Sequence, residues 1–276
     1  MGELETTHAC HKAQLAREWS QYRFRVLDLS SPTSPVLREA LDMPSQDEGV
    51  DVLARGSSLY YAYKRPAEVE GDGRAFVRYF IKQIDLSEAS PLFGPEINVA
   101  GRLLALEGDV VYTRGEVYGE KFVETFVARA RIDGERAVLE GSRHFRGRQV
   151  RLVGSDPSGL MLVTHGPHPS FFDGWQAPVD SPVQLSVLDV SDAAFGEHAR
   201  IGIPYLDKLH QASAGRAVFG EADENGDGLV VFDTSDPKNP YPKHYFPTHG
   251  WHGHAIFDGD DIFEVAGAYG ISRFSL

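Results

Sequence analysis

The chain has 276 residues, with 27 Lys plus Arg against 40 Asp plus Glu, a formal net charge of −13. That sign excludes a protein whose affinity comes from neutralising nucleic-acid phosphates, and equally a polybasic membrane-surface protein. At 42% apolar the chain is long enough to bury a sizeable core, and its 28 Gly and 16 Pro fall short of a low-complexity composition.

Residues 1–21 are polar and are expected to form an N-terminal tail or a short helix, with no apolar segment of signal-peptide type. The single cysteine, Cys10, lies there between His8 and His11, a weak metal motif. One cysteine permits neither an intrachain disulfide nor a cysteine-based zinc framework. No stretch reaches the roughly 18 consecutive apolar residues of a membrane-spanning helix. From residue 22 to 276 one β-domain is expected.

Its strands follow in chain order. Phe24–Leu29 and Val36–Met43 read as the first pair. Val50–Ala54, Leu59–Tyr63 and Phe76–Ile84 come next, then Leu103–Leu106, Val110–Thr113 and Phe122–Ile132. Gln149–Val153, Leu160–Thr164 and Val183–Val190 make a third set. The chain closes with His254–Phe257, Ile262–Ala266 and Ile271–Phe274. Short turns such as Arg55-Gly56-Ser57 and Glu107-Gly108-Asp109 separate the first two strands of a set. Runs such as Leu59-Tyr60-Tyr61-Ala62-Tyr63 are apolar on both faces, which suits sheets covered on both sides.

A turn motif recurs among these strands. Val26-Leu27-Asp28-Leu29-Ser30, Gln83-Ile84-Asp85-Leu86-Ser87, Val187-Leu188-Asp189-Val190-Ser191 and Val231-Phe232-Asp233-Thr234-Ser235 are copies, and Arg131-Ile132-Asp133-Gly134 is a degenerate one. The aspartates are separated by 57, 48, 56 and 44 residues. A strand ending at such an aspartate lets its carboxylate accept from a backbone N–H two or three residues on, which closes a tight turn. Each copy therefore predicts a hairpin whose second strand lies at a sheet edge. Four short strands per repeat at this period describe an all-β fold, a β-propeller of four-stranded blades. About five blades are expected, or part of a larger propeller, with four full blades ending near Gly101, Gly147, Pro204 and Thr248.

The last copy, Val231 to Pro240, is followed by Ala255-Ile256-Phe257-Asp258-Gly259-Asp260-Asp261-Ile262-Phe263 and by Tyr269-Gly270-Ile271. This run resembles the LVIVD-repeat family of β-propellers. The resemblance implies a bacterial or archaeal propeller, often of the cell envelope or secreted, with no agreed catalytic residues.

The connections between second and third strands are expected to be long and polar: Lys64–Ala75, Gly115–Lys121, His165–Pro182 and Glu221–Gly228. Loops on a rigid scaffold carry binding residues. The most distinctive holds His165, His168, Phe171, Phe172, Asp173 and Trp175, where three aromatics either cap a channel mouth or meet an apolar or sugar-like ligand. Trp251, His252 and His254 enter the last set of strands. The two histidines, with Asp51 from an earlier inner strand, are candidate ligands for zinc, copper or iron. Asp223, Asn225 and Asp227 match the opening of a calcium loop, although its twelfth position is Thr234 instead of a glutamate and a hairpin turn explains the same residues. His144, Arg146, Arg148 and Arg151 form a local basic patch.

No nucleophile elbow, phosphate loop or dinucleotide fingerprint is present. The expected function is a non-catalytic propeller that presents a loop-rich face to a protein or glycan partner. The alternative is a metal-dependent, lactonase-like hydrolase with zinc or calcium at a channel mouth.

Overall fold

The computed structural model describes residues 8–10, 23–28, 31, 33–38, 41–42, 48–87, 91–118, 123–146, 150–156, 160–165, 184–191, 193–203, 206–213, 215–223, 226–248, 254–267 and 270–276. Among them every regular element is a β-strand, and no helix is long and apolar enough to cross a membrane. The chain divides into two compact units, Met1–Leu103 with Ile132–Val138, and Leu104–Arg131 with Leu139–Leu276.

In the first unit β1 (His8–Cys10) lies within the segment expected to be tail or helix, followed by β2 (Arg23–Phe24), β3 (Leu27–Asp28), β4 (Val36–Leu37) and β5 (Leu41–Asp42). β2 pairs β5 and β3 pairs β4, so 23–42 is one interrupted antiparallel ribbon, stiffened by an Arg38–Asp28 ion pair of 2.7 Å. The main sheet comprises β6 (Glu48–Arg55), β7 (Ser58–Val69), β8 (Asp72–Asp85) and β9 (Leu92–Val99), with β1 on the β8 edge. Tyr61, Tyr63 and Ile84 are buried on one face, where Leu59 and Phe80 pack against them.

The second unit holds the greater part of β10 (Arg102–Glu107), β12 (Val123–Asp133) and β13 (Arg136–Arg146) and all of β11 (Val110–Tyr118), then β14 (Val150–Asp156), β15 (Leu160–His165), β16 (Gln184–Asp189) and β17 (Glu197–Gly202). It continues with β18 (Leu206–Ser213), β19 (Arg216–Asp223), β20 (Gly226–Asp233) and β21 (Tyr241–Pro247), and ends with β22 (His254–Asp258), β23 (Asp261–Val265) and β24 (Ile271–Ser275). Each set is a separate antiparallel meander in chain order, three of four strands and a last one of three. The sheets end at Val99, Arg146, Gly202 and Pro247, each within two residues of the expected limit.

Period-two alternation turns these sheets into a stack. Tyr112 and Val127 pack with Met161, Val163 and Leu188 of the next sheet. The opposite faces of β15 and β16, through Leu162, Leu185 and Val187, pack with Ala217, Phe219, Val230 and Phe232. Val218, Leu229 and Val231, the intervening residues, pack with Ala255 and Ile262 of the last sheet. The two inner sheets therefore bury both faces, which is why β15 and β20 carry the unbroken apolar runs Leu160–Val163 and Leu229–Phe232. Each fully buried Leu, Val or Phe contributes about 1.5–3 kcal/mol of transfer free energy, so no covalent staple is needed. The first strands of successive sheets, β14 with β18 and β18 with β22, run beside one another.

Among the described residues, three expected loops are largely strand instead. β7 and β8 continue through 64–75 as a long hairpin closed by Glu70-Gly71, with Gly71 at φ 78°. β11 reaches Tyr118, which pairs with Val123. β19 and β20 stay in register until Asp223 meets Gly226. Their polar residues had suggested loops. The backbone pairs rung by rung through these polar stretches, so their composition does not mark an irregular chain. The connection 166–183, between β15 and β16, lies outside the described residues.

Candidate functional site

Asp85, Asp133, Asp189 and Asp233 end β8, β12, β16 and β20, each the third strand of its meander, and Asp28 ends β3 of a two-stranded pair. Ser87 N donates to Asp85 Oδ1 at 2.8 Å, Ser191 N to Asp189 at 2.8 Å, and Ser235 N to Asp233 at 3.0 Å. The degenerate copy turns through Gly134 at φ 63° instead, the left-handed region that glycine enters most cheaply. Asp233 also accepts from Lys243 Nζ at 2.8 Å and from the Ser235 hydroxyl at 2.5 Å. These donors, Lys243 first, hold its carboxyl far below the usual carboxylate range.

A depressed folded-state value means that the contribution to stability is present above the unfolded value near pH 4 and is lost as pH falls through the folded one. Asp233→Asn is expected to cost about 1–2 kcal/mol at pH 7, the scale of charge-assisted hydrogen bonds at a partly exposed site. In urea titrations the gap to wild type closes on acidification below about pH 4. A gap that widened in acid would refute this role.

The other displaced carboxylates are also displaced downward among the described residues. Ser87 lowers Asp85, Arg131 lowers Asp109, Ser191 lowers Asp189, Asn239 lowers Asp236 and Arg273 lowers Asp261. At Glu197 burial pushes upward, but Arg200 and Ser186 outweigh it. These acids are ionised and hold turns and rungs together. A general acid at neutral pH needs the opposite shift.

Two further clusters escaped sequence reading. On the first unit Arg65 lies 5.3 Å from the Tyr63 ring centroid and 5.0 Å from that of Phe80, and grips Glu96 with both nitrogens. Tyr63 donates to the same carboxylate; burial, then Glu96, pushes its phenol well up. On the second unit Arg129 Nη1 donates to the Val190 and Ser191 carbonyls at 2.9 and 2.8 Å, and Arg143 Nη1 to Phe195 O at 2.8 Å. The turn after β16 is thus clamped onto the preceding sheet. Such pairings carry no sequence signal, because the partners are 52 to 62 residues apart.

The candidate residues fall partly inside and partly outside the described residues. His165 closes β15, paired with Gln184. His168, Phe171, Phe172, Asp173 and Trp175 lie outside the described residues, as do Trp251, His252, Asn225, His11 and Arg148. Asp51 is on β6, and both of its carboxylate oxygens accept from Arg102, at 3.0 and 2.7 Å. Asp223 pairs with Gly226 and Ala222 with Asp227 on successive rungs. Most of a twelve-residue calcium loop starting at Asp223 would be the strand Gly226–Asp233, so the hairpin reading accounts for the backbone there. His8 and Cys10 pair with Val77 and Ala75 on β8. His144 is exposed, with its ring 5.7 Å from that of Phe126; Arg146 ends β13 and Arg151 lies on β14. Among the described residues no group of three or more His, Cys, Asp or Glu is placed to hold a metal ion.

His254 opens β22 and is exposed. Its ring meets that of His210 on β18, centroids 5.9 Å apart and planes at 70°. His210 is 8% exposed.

No protein-family description matches the chain, and no curated protein sequence does. Fold and geometry together define an all-β protein of several small antiparallel sheets. The four-stranded ones are consistent with propeller blades.

Proposed function

We propose that the chain is a non-catalytic binding module made of β-propeller blades of the LVIVD-repeat kind, and that its contact surface is the connection 166–183. The observation that carries this reading is the base of that connection. β15 and β16 pair without a break from Leu160↔Asp189 to His165↔Gln184, and both strands are buried in the stack. A stretch bearing Phe171, Phe172 and Trp175 is therefore rooted on a closed rung of the core, the arrangement in which loops bind.

The blade reading draws on three supports: the meander sheets, the adjacent first strands, and the far face of the last sheet. There Ile256, Val265 and Ile271 are exposed on the face opposite Ala255 and Ile262, continuing the alternation that buries each earlier interface. A further sheet would cover them. The hydrolase alternative draws on His252 and His254 with Asp51 as an additional metal ligand, and the Arg102 pairing of the Asp51 carboxylate weighs against that third ligand.

A titration of intrinsic tryptophan fluorescence with neutral and acidic oligosaccharides, and with a captured protein partner in parallel, tests this. Phe172→Ala with Trp175→Ala is expected to weaken the saturable response roughly tenfold or more, the loss of a binding hot spot. Thermal stability should be unchanged. A double variant that binds as wild type does would overturn the assignment of the surface.

A further inference from the structure

We infer that His210 and His254 form a site for a single borderline transition-metal ion such as Zn²⁺ or Ni²⁺, linking two neighbouring sheets. The inference is independent of the binding role of 166–183.

Its first support is the backbone of β18. The ladder to β19 runs Leu209↔Phe219 and then Gln211↔Val218, so His210 is the extra residue of a β-bulge. In a regular strand consecutive side chains leave by opposite faces. Here both His210 and Gln211 reach β22: Phe257 N donates to Gln211 Oε1 at 2.6 Å, and the His210 ring meets that of His254. A bulge forfeits ladder pairing and re-aims a side chain, and bulges concentrate beside functional sites. This one turns an imidazole toward a second imidazole on the adjacent sheet.

The second support is the geometry of the rings. With metal–nitrogen bonds of about 2.0–2.1 Å and tetrahedral angles, two imidazoles on one ion have centroids roughly 5 Å apart. The observed separation is 5.9 Å with the planes at 70°, so closing on an ion requires a small side-chain adjustment. Burial is divided between the partners. His210 is 8% exposed and fixed in the stack, whereas His254 is exposed at the strand entrance, which leaves an approach from solvent. Imidazole selects zinc, copper and nickel over the hard cations. Two histidines supply two positions, and water or an incoming ligand would complete the shell.

Untagged full-length protein titrated with Zn²⁺ or Ni²⁺ by calorimetry provides the test. One ion per chain is expected, together with a rise in melting temperature, because the ion bridges two sheets and binds only the folded chain. His254→Ala, an exposed position, should keep the fold by circular dichroism and weaken uptake by at least roughly tenfold, since even outer partners of metal ligands cost that much. His210→Gln, which keeps a polar side chain of similar size, should weaken it equally. No saturable uptake by wild type would overturn the site. So would undiminished uptake by His254→Ala, or loss of uptake only on replacing His8 and His11.

Discussion

Gly141→Val is expected to lower stability by about 3–5 kcal/mol, or to prevent folding, the upper range for overpacking against atoms that cannot yield. A Cβ added at Gly141 on β13 would lie 2.0 Å from the backbone oxygen of Ala193 and 2.9 Å from its carbonyl carbon. Carbonyls do not rotate away as a side chain does. The whole turn after β16 would have to lift, and it is the segment held by Arg129 and Arg143. Chemical denaturation measures the loss. Gly196→Ala in the same turn is the control, because its Cβ would find only Asp189 Cβ at an ordinary 3.9 Å. That substitution should stay within about 0.5 kcal/mol of wild type. Equal stabilities for the two variants would show that β13 and the turn are not in close contact.

Phe195→Ala comes next in expected effect. Phe195 is fully buried among Tyr112, Phe145, Met161 and Val190, and its backbone is left-handed at φ 51°. Truncating a buried Phe costs about 3–5 kcal/mol, from lost transfer energy and the cavity left behind. The backbone supplies a sharper discriminator. In ordinary strands Gly is less stable than Ala by about 0.5–1 kcal/mol, whereas a left-handed residue carries a penalty of about 1–2 kcal/mol that glycine escapes. Phe195→Gly should therefore be at least as stable as Phe195→Ala in urea titrations. The reverse order would show that the turn relaxes once the ring is gone. The buried ring, together with the Arg143 hydrogen bond to Phe195 O, offsets the cost of this backbone conformation.

The strands and their grouping were legible because their causes are local. Asp85, Asp189 and Asp233 close turns with a serine two residues on, and both partners lie within one motif. Apolar runs such as Leu160–Val163 and Leu229–Phe232 mark sheets covered on both faces. The hairpins at 64–75 and 221–228 were misread as loops because their polar composition does not show the rung-by-rung pairing of the backbone. His210 went unnoticed because an isolated histidine in Leu209-His210-Gln211 carries no periodic signal, and the bulge that re-aims it depends on the register with β19.

Composition and the aspartate motif by themselves determined an acidic, all-β chain of short antiparallel sheets, since turn chemistry and side-chain alternation act over a few residues. Tertiary structure alone decided which faces meet, which carbonyls Arg129 and Arg143 hold, and that His210 reaches His254 44 positions away. The physical reason is range: a turn is closed by its own neighbours, whereas a packed interface is chosen by the fit of whole sheets, and no single stretch of sequence encodes that fit.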